Sequence, residues 1–526
     1  MPAQRPSFPA NLGILLLMAC QAPLPASQSF PRSVPELQGV SSAGVLNFVN
    51  AVETGKMNLH SLMLVRHGQV VAEGWWAPYA HDLKHTLYSL SKSFTSTAVG
   101  IAADEGRLGL DDKVVSFFPQ DVPATVSPNL AAMRVKDLLM MGTGHKTCSL
   151  FGSAIRILPE GNWVQAVLSR PVAFEPGTHF VYNSGATFML SAIVQKATGQ
   201  TLLEYLNPRL FRPLGIEDAE WELNPQGFNT GAWGLCVTTE DIAKLGQLYL
   251  QNGMWRGQRI LSENWVREAT KAQIQNASGK DPAKDAASDW AQGYGYQFWR
   301  CRNAAFRGDG AFGQYCLVLP KQDAVLAITA ETNDLQAVLN AVWEHLLTAM
   351  QADPLPSDSK ASAQLKDKLA SLSLPFPAGQ PTSPQAARVN KQTYAIADNT
   401  LGVRSVSLAF HGDKCVFTML DAQAEHKISC GIGRWRQGET DLSPAPLHLV
   451  TTQRFTKSPL ACAGAWGGDN TFVMYWRFVG TAHYQSVTCR FEGDDIWVEF
   501  KKSAVILNPS AKDGRPVLTG KLVGQK

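Results

Sequence analysis

The sequence has no large charge of either sign. It carries 47 lysine and arginine residues against 44 aspartate and glutamate residues, a formal net charge of +3 over 526 residues. A nucleic-acid-binding surface needs a basic excess, and a disordered chain needs a more polar composition than this one. The composition therefore argues against a nucleic-acid-binding protein and against a disordered one, and it predicts a globular protein of two or more domains.

Long hydrophobic runs are also missing. The apolar stretch at residues 12–19 is too short to span a bilayer, and it follows a single charge at Arg5. This pattern predicts a secretory signal peptide over residues 1–27 and a periplasmic or secreted protein. The segment LMAC, which ends at Cys20, resembles a bacterial lipobox. Lipidation of Cys20 and plain cleavage near Ala26 therefore stay open as alternatives.

Cysteines at metal-binding spacing are lacking too. None of the nine cysteines forms a CxxC pair, so the sequence predicts neither a zinc site nor a cofactor. For the eight cysteines after Cys20, disulfides and buried free thiols both remain open. The histidines show no metal-ligand spacing, and surface or turn positions are expected for His67, His81, His85, His145 and His179.

Hydrophobic periodicity divides the rest of the chain into three parts. Residues 28–351 begin with a helix and a hairpin and end with a hairpin and a helix, an order that lets both ends build one antiparallel sheet. Residues 352–388 are rich in Pro, Ser, Ala and Lys, which predicts a linker with one helical turn near residues 365–372. Residues 389–526 alternate apolar with polar residues, which predicts a small all-β barrel or sandwich.

Two residues of complementary chemistry stand at the start of a predicted helix. Ser89 and Lys92 are three positions apart, so on the first turns of a helix their side chains share one face. Burial and the positive helix N-terminus would lower the pKa of Lys92, which could then accept the serine proton. The same N-terminus would favour an oxyanion near Ser89. A simple helix cap fits the spacing as well, so this motif alone does not decide the function.

Two further motifs follow in chain order. Tyr182-Asn183-Ser184 immediately precedes an apolar helix, and residues 306–332 form a Gly-rich approach to a strand, a turn and a second strand. In this order the three motifs resemble the signature of the serine β-lactamase and penicillin-binding-protein superfamily. The resemblance is strongest to its class C-like branch, which includes family VIII esterases, D-aminopeptidases and related amide hydrolases. It covers roughly residues 34–350.

The resemblance implies both a fold and a mechanism. The fold would be α+β and β-lactamase/transpeptidase-like, an antiparallel sheet flanked by helices with a helical subdomain, followed by a small C-terminal all-β domain that is a lipocalin-like barrel or a sandwich. Ser89 would be the acylated nucleophile and Lys92 its proton partner. Tyr182 would take the serine proton as a phenolate held by Lys92. Ser184 would match the third position of the second motif and hydrogen-bond Lys92 or the substrate.

The third motif departs from the family pattern. Where the resembling enzymes have Lys-Thr-Gly or His-x-Gly, the aligned triplet is Asp309-Gly310-Ala311, so the usual cation is missing. An anion at this place would repel a substrate carboxylate, although a plain turn role for Asp309 stays open. The backbone N–H of Phe312, or that of Ala311, would complete an oxyanion hole with the N–H of Ser89.

Together these features predict an exported serine hydrolase that cleaves an amide or ester bond of a small-molecule or peptide substrate through an acyl-Ser89 intermediate. Three alternatives stay open: a β-lactamase or D,D-carboxypeptidase, a peptidase on linearised cyclic peptides such as microcystin, and a non-catalytic acylated sensor. We expect no nucleic-acid partner. A lipid anchor at Cys20 is the membrane contact considered, and the oligomeric state stays open.

Overall fold

The computed structural model of the chain describes residues 29–150, 161–442, 457–503 and 512–524. The predicted signal peptide and Cys20 lie outside these residues. Among the residues that are described, no helix has both the length and the apolar character needed to cross a bilayer.

The helices are, in chain order, α1 (Ser42–Thr54), α2 (Ser91–Asp104), α3 (Pro128–Ala132), α4 (Val135–Leu139), α5 (Trp163–Leu168), α6 (Ser184–Thr198), α7 (Leu202–Leu206), α8 (Arg212–Leu214), α9 (Thr239–Leu250), α10 (Glu263–Thr270), α11 (Pro282–Ala287), α12 (Leu335–Ala341), α13 (Ser359–Ala370) and α14 (Pro384–Val389). The strands are β1 (Leu59–Arg66), β2 (Gln69–Trp75), β3 (His85–Thr86), β4 (Glu220–Trp221), β5 (Leu235–Val237), β6 (Met254–Trp255), β7 (Gln258–Arg259), β8 (Trp299–Arg300), β9 (Phe306–Gly310), β10 (Gln314–Leu319), β11 (Ala324–Ala330), β12 (Gln392–Ile396), β13 (Ser405–His411), β14 (Lys414–Leu420), β15 (Glu425–Ile432), β16 (Arg436–Thr440), β17 (Ser458–Gly468), β18 (Thr471–Arg477), β19 (Tyr484–Glu492), β20 (Asp495–Lys502) and β21 (Leu518–Leu522).

The two ends of the first region meet in one antiparallel sheet. Its strand order is β2-β1-β11-β10-β9-β8, so the first hairpin lies directly beside the last one. Successive side chains of β1 point to opposite faces. Met63 and Val65 join the core under α9, whereas Leu62 and Leu64 join a second core with α1 and α12. The predicted antiparallel sheet flanked by helices is confirmed.

Helix α2 is buried on all sides. Every residue from Ser91 to Ala102 is buried. The hydroxyl groups of Thr95 and Ser96 donate hydrogen bonds to backbone carbonyls of neighbouring segments, at 2.8 and 2.7 Å. Because these hydroxyls find acceptors, the helix can carry polar residues in the core without leaving them unsatisfied. A 3-10 turn, Tyr88–Leu90, leads directly into this helix and carries Ser89.

The predicted linker is more ordered than its composition indicates. Helix α13 spans twelve residues of it and packs against α1 and β2. Leu365, Leu372 and Leu374 are buried in the second core. Within α13 the buried residues are Ala361 and Leu365, and Leu372 and Leu374 follow its end, so the surrounding Pro, Ser and Lys residues hide the pattern in the sequence.

The C-terminal region is a closed barrel rather than a sandwich. Nine strands form the ring in the order β15-β14-β13-β12-β21-β20-β19-β18-β17, and β15 then pairs with β17 to close it. This last pair is parallel and joins Gly431 to Ala463 and Ile432 to Gly464, whereas the other neighbours in the ring are antiparallel. Strand β16 pairs antiparallel with β17 over Ser458–Cys462, on the same edge as β15 and directly beside its two pairs.

The structure decides between disulfides and free thiols and tests the expected positions of the histidines. All eight cysteines after Cys20 are free thiols, and six of them are buried. His67, His81 and His179 are exposed as expected, but the prediction is wrong for two others, since His85 and His145 are buried. His85 lies on β3 against His60, with 3.2 Å between their ring nitrogens. Within the described ranges, no group of three or more His, Cys, Asp or Glu residues could hold a metal ion.

Candidate active site

Ser89 and Lys92 lie together at the start of α2. Ser89 is half-buried, whereas Lys92 is only 1% exposed, so the hydroxyl can face a substrate while the amine stays behind it. Lys92 Nζ is 3.0 Å from Ser89 Oγ. The shared face predicted from the spacing is therefore present, and the two atoms are at hydrogen-bond distance.

Lys92 Nζ has two further partners. It lies 2.8 Å from the backbone carbonyl oxygen of Ala232 and 3.2 Å from Ser184 Oγ. Burial lowers the pKa of Lys92 to about 7, and the charges of Cys148 and Asp309 oppose that shift only in part. Near neutral pH a substantial fraction of Lys92 is therefore an uncharged amine with a lone pair.

Tyr182 approaches Ser89 from the N-terminus of α6. Its hydroxyl forms a hydrogen bond with Ser89, and its ring centroid is 5.1 Å from Lys92 Nζ. Burial raises the pKa of Tyr182 above its ordinary value, and the hydrogen bond with Ser89 opposes this shift. Tyr182 is therefore a neutral phenol near pH 7. This differs from the predicted phenolate, because burial raises the pKa of Tyr182 more than the Ser89 hydrogen bond and the charge of Arg307 lower it.

The two residues after Tyr182 have different partners. The side chain of Asn183 caps α6, accepting from the N–H of Gly185 at 2.9 Å, and it also accepts from the N–H of Ser149 at 2.9 Å. Ser184 instead turns its hydroxyl toward Lys92. Of the two, Ser184 is the residue that contacts the group around Ser89, as the motif comparison predicts.

Strand β9 passes close to the nucleophile because two of its residues are glycines. A Cβ atom on Gly310 would lie 2.2 Å from the carbonyl oxygen of Leu87, and one on Gly308 would lie 2.3 Å from a methyl carbon of Leu90. The turn after β9 contains the exposed Ala311 and the half-buried Phe312. The ring of Phe312 packs edge-on against Tyr88, the residue before Ser89, with 5.3 Å between centroids.

Asp309 is paired with a cation that the sequence analysis missed. Arg307 donates from Nε to Asp309 Oδ2 at 2.8 Å, and its side chain is fully buried. Burial raises the pKa of Asp309, while Arg307 and Lys92 oppose the shift. The expectation of an uncompensated anion at this place is therefore revised. Alternation along β9 puts residues 307 and 309 on the same side, which is the signal that could have revealed the pair.

An aromatic wall joins this ion pair to Tyr182. The ring of Trp299 stacks on Tyr182 with 5.4 Å between centroids, and the Arg307 guanidinium lies 5.8 Å from the Trp299 centroid on β8. Arg307 also lies over Trp290 at 4.3 Å. The sequence did not identify Arg307, Trp290 or the Ala232 carbonyl, because a backbone acceptor and a packed ring leave no motif, whereas Trp299 belongs to the aromatic segment 293–299, which predicts a wall of either the core or a pocket.

A sequence profile described as "Beta-lactamase" matches residues 48–349, which is more than half of the chain. The chain belongs to the β-lactamase family. This match confirms the resemblance read from the three motifs, and members of this family are serine hydrolases. The protein is accordingly a serine hydrolase of the amide hydrolase or peptidase type.

Relatives agree with this assignment, and a solved structure shares the fold. The chain is 26% identical over 280 residues to a 6-aminohexanoate-dimer hydrolase of Paenarthrobacter ureafaciens, covering 51% of this chain and 71% of that protein. It is 29% identical over 174 residues to a D-aminopeptidase of Brucella anthropi, covering 30% and 31%. A solved structure from Bacillus anthracis, provisionally named a 6-aminohexanoate-dimer hydrolase, is similar in fold at 21% identity and a TM-score of 0.50, covering 62% of this chain and 89% of that one.

Proposed function

We propose that this protein hydrolyses an amide bond through an acyl-Ser89 intermediate, with Lys92 as the base. The observation that carries the proposal is the buried Lys92 amine, which lies 3.0 Å from Ser89 Oγ and has a pKa lowered to about 7. A carbonyl can only accept a hydrogen bond, so a neutral Lys92 donates to the Ala232 oxygen. Its second N–H can go to Ser184 Oγ, which leaves the lone pair for the Ser89 proton.

The steps follow from this arrangement. Ser89 Oγ attacks the substrate carbonyl carbon while its proton passes to Lys92, and backbone N–H groups of Ser89 and the turn at Phe312 stabilise the oxyanion. Collapse of the tetrahedral intermediate breaks the C–N bond, and the leaving amine takes a proton that Tyr182 donates and Lys92 replaces. Water then attacks the acyl group, gives its proton back through the same two residues, and releases the acid and free Ser89.

The charges favour amides of amino acids over β-lactams. Arg307 is fully buried and held by Asp309, so β9 presents no free cation to the carboxylate of a penicillin or of a C-terminal D-residue. The names of two relatives, 6-aminohexanoate-dimer hydrolase and D-aminopeptidase, point to the same class of substrate. We therefore propose linear amides whose acyl side bears an amino group, with neutral esters as slower surrogates and β-lactams as poor substrates.

The test combines covalent labelling with a substrate panel. Wild type, Ser89→Ala and Ser91→Ala are exposed to a fluorophosphonate and measured by intact mass, then assayed on linear 6-aminohexanoate dimer, D-alanine anilide, a nitrophenyl ester and nitrocefin. Ser91 is the matched control, because its hydroxyl accepts from the N–H of Leu235 rather than from Lys92. We expect Ser89→Ala alone to lose labelling and turnover. Labelling without turnover would favour the sensor, and nitrocefin as the best substrate would favour a β-lactamase.

We also propose that the protein is exported, as its N-terminal apolar segment indicates, and that Cys20 is either lipidated or removed with the signal peptide. Fractionation of a bacterial host, with metabolic labelling by a clickable fatty acid, tests both points. A protein that stays in the cytoplasm at full length would contradict the export proposal.

A further inference from the structure

A histidine of the barrel reaches into the hydrolase region beside the nucleophile. His483 belongs to the loop between β18 and β19, and its Nδ1 lies 2.8 Å from Oε1 of Glu331, the residue after β11. Its Nε2 lies 2.9 Å from the hydroxyl of Tyr88, which directly precedes Ser89. All three side chains are buried, so these contacts are not exchanged freely with water.

The carboxylate of Glu331 fixes the direction of one of these hydrogen bonds, and the neutral tautomer of His483 sets the other. A carboxylate oxygen can only accept, and Glu331 Oε1 also accepts from the hydroxyl of Ser503. Nδ1 of His483 must therefore carry a proton and donate it to Glu331. Its Nε2 is then free to accept from the Tyr88 O–H, in the way that a carboxylate orients a histidine ligand in a metal site.

This histidine supports two residues with strained backbone. Tyr88 has φ +48° and Phe312 has φ +67°, the left-handed region that bulky side chains rarely adopt. His483 packs edge-on against Phe312 with 4.8 Å between ring centroids, while the ring of Phe312 packs in turn on Tyr88. Strain of this kind persists only where the surroundings hold it, and it is concentrated at functional sites.

The two strained residues flank the proposed oxyanion hole. Tyr88 sets the direction of the peptide group that carries the N–H of Ser89, and Phe312 carries the second N–H itself. If the backbone of Tyr88 or Phe312 relaxed to negative φ, the N–H group of Ser89 or of Phe312, respectively, would turn away from the position of the oxyanion. A fixed position matters here because oxyanion stabilisation depends on donors that are oriented before the reaction.

We propose that His483 is a positioning residue through which the C-terminal barrel holds both sides of the oxyanion hole. The inference rests on the proposed function, since it concerns the same acyl transfer at Ser89. His483 acts through the hydroxyl of Tyr88 and the ring of Phe312 and does not touch the substrate. Through His483 the barrel therefore supports the active site without contacting the substrate.

The same loop offers a matched control. Tyr79, also buried, donates from its hydroxyl to the backbone oxygen of Thr481 at 3.0 Å, which is another hydrogen bond between the two regions. Tyr79 stacks on His60 at 3.9 Å rather than on Phe312. Tyr79→Phe therefore removes one oxygen and its hydrogen bonds to the barrel, as Tyr88→Phe does, without touching either strained residue.

The experiment compares Tyr88→Phe, His483→Leu and His483→Gln with Tyr79→Phe in the full-length protein. For each variant, kcat and KM are measured on the best substrate of the panel, together with the Kd of an aryl boronate that forms a tetrahedral adduct with the serine. The glutamine in His483→Gln can present an oxygen to the Tyr88 hydroxyl and so tests rescue. Melting temperatures report whether each variant is folded.

We expect Tyr88→Phe and His483→Leu to lower kcat by about tenfold or more, because a small misplacement of a reacting group costs up to ~100-fold. Their KM should change little, boronate binding should weaken in parallel with kcat, and His483→Gln should recover part of the loss. The double variant that combines Tyr88→Phe and His483→Leu should lose no more kcat than the more impaired of the two single variants. Tyr79→Phe should keep wild-type kcat whatever its melting temperature.

Equal kcat and boronate affinity in Tyr88→Phe and Tyr79→Phe would overturn the inference, as would losses that follow only the melting temperature. If His483→Leu does not fold, Tyr88→Phe decides alone, since it removes a single oxygen. Failure of the proposed function looks different: Ser89→Ala would then retain turnover, or no substrate and no acylating probe would react with wild type.

Discussion

Lys92 can satisfy its partners in either protonation state. As an ammonium it has three N–H donors for three acceptors, the hydroxyls of Ser89 and Ser184 and the carbonyl of Ala232. As a neutral amine it needs only one of the hydroxyls to reverse its hydrogen bond. A proton can therefore move between Ser89 and Lys92 without any side chain moving, which keeps the reorganisation that accompanies acylation small.

The titration of Lys92 predicts the pH dependence of acylation. Its pKa is lowered to about 7 by burial, and only the neutral amine can accept the serine proton. kcat/KM should therefore rise as pH increases through about 7 and level off above it, because the fraction of neutral Lys92 rises in that direction. The profile is measured with a substrate that does not itself titrate. A flat profile across neutrality would contradict Lys92 as the base.

Tyr182→Phe should lower kcat by roughly 100-fold with a modest change in KM, because it removes a proton donor and keeps the ring. Tyr294→Phe is the matched control, since Tyr294 packs edge-on against Tyr182 with 6.4 Å between centroids. Steady-state kinetics of both variants at one pH give the comparison. Similar losses in the two variants would assign Tyr182 a packing role.

Spacing alone predicted where the reactive side chains meet, but not their charge states. Ser89 and Lys92 face each other because they are three positions apart on a helical turn. The neutral state of Tyr182 and the ion pair of Asp309 could not be predicted from spacing. Their protonation depends on burial and on Arg307, and both follow from how β9 packs on α2 rather than from local sequence.

Strand β9 and the turn at Ser89 pack closely because two residues of β9 are glycines. The backbone of Gly310 approaches the carbonyl of Leu87 so closely that there is no room for a methyl group. The small residues of the third motif therefore serve packing first. They let the turn that contains Phe312 come within reach of the start of α2.

Gly310→Ala should destabilise the protein by about 1–3 kcal/mol, the usual cost of forcing a methyl group into a packed site, and should lower kcat as β9 moves away from Ser89. Gly438→Ala is the control, because a Cβ atom on this β16 glycine meets nothing within 4 Å. Urea unfolding and initial rates are measured on both. A Gly310→Ala enzyme with wild-type stability would show that β9 can shift freely.

The regular elements were predictable where one period dominated. The apolar helix expected after Tyr182 is α6 (Ser184–Thr198), and the all-β region expected from residue 389 onward contains β12 to β21. The full length of α13 was missed, because its burial is provided by two other elements, α1 and β2. A surface helix with few leucines carries too weak a local signal to identify it.

The two regions of the molecule share a buried polar interface. Tyr88 and His483 are 395 positions apart in the chain, yet they are in hydrogen-bond contact. No sequence period reports a contact of this separation, so the predicted C-terminal domain had no assigned role. The contact exists only because the first region and the barrel are packed against each other.

We therefore expect the barrel and the hydrolase region to unfold together. Opening the interface would break the buried contact between Glu331 and His483 and would expose Val479 of the barrel, which packs in the second core of the first region. Hydrogen exchange followed by mass spectrometry at increasing urea, on peptides from β18 and from α2, should give the same midpoint. Separate midpoints would show that each region is stable alone.

The ring of the barrel has nine strands, and this odd number has a consequence for how the strands pair. In a ring whose neighbours all run in opposite directions the strand count must be even, so nine strands require one seam at which the directions agree. Here the seam lies between β15 and β17 and joins only two residue pairs, against eight between β19 and β20. The seam is thus where the barrel should open locally most readily, and amide exchange at Gly433, whose N–H donates to the carbonyl oxygen of Gly464 across the seam at 3.1 Å, should outpace that of β20.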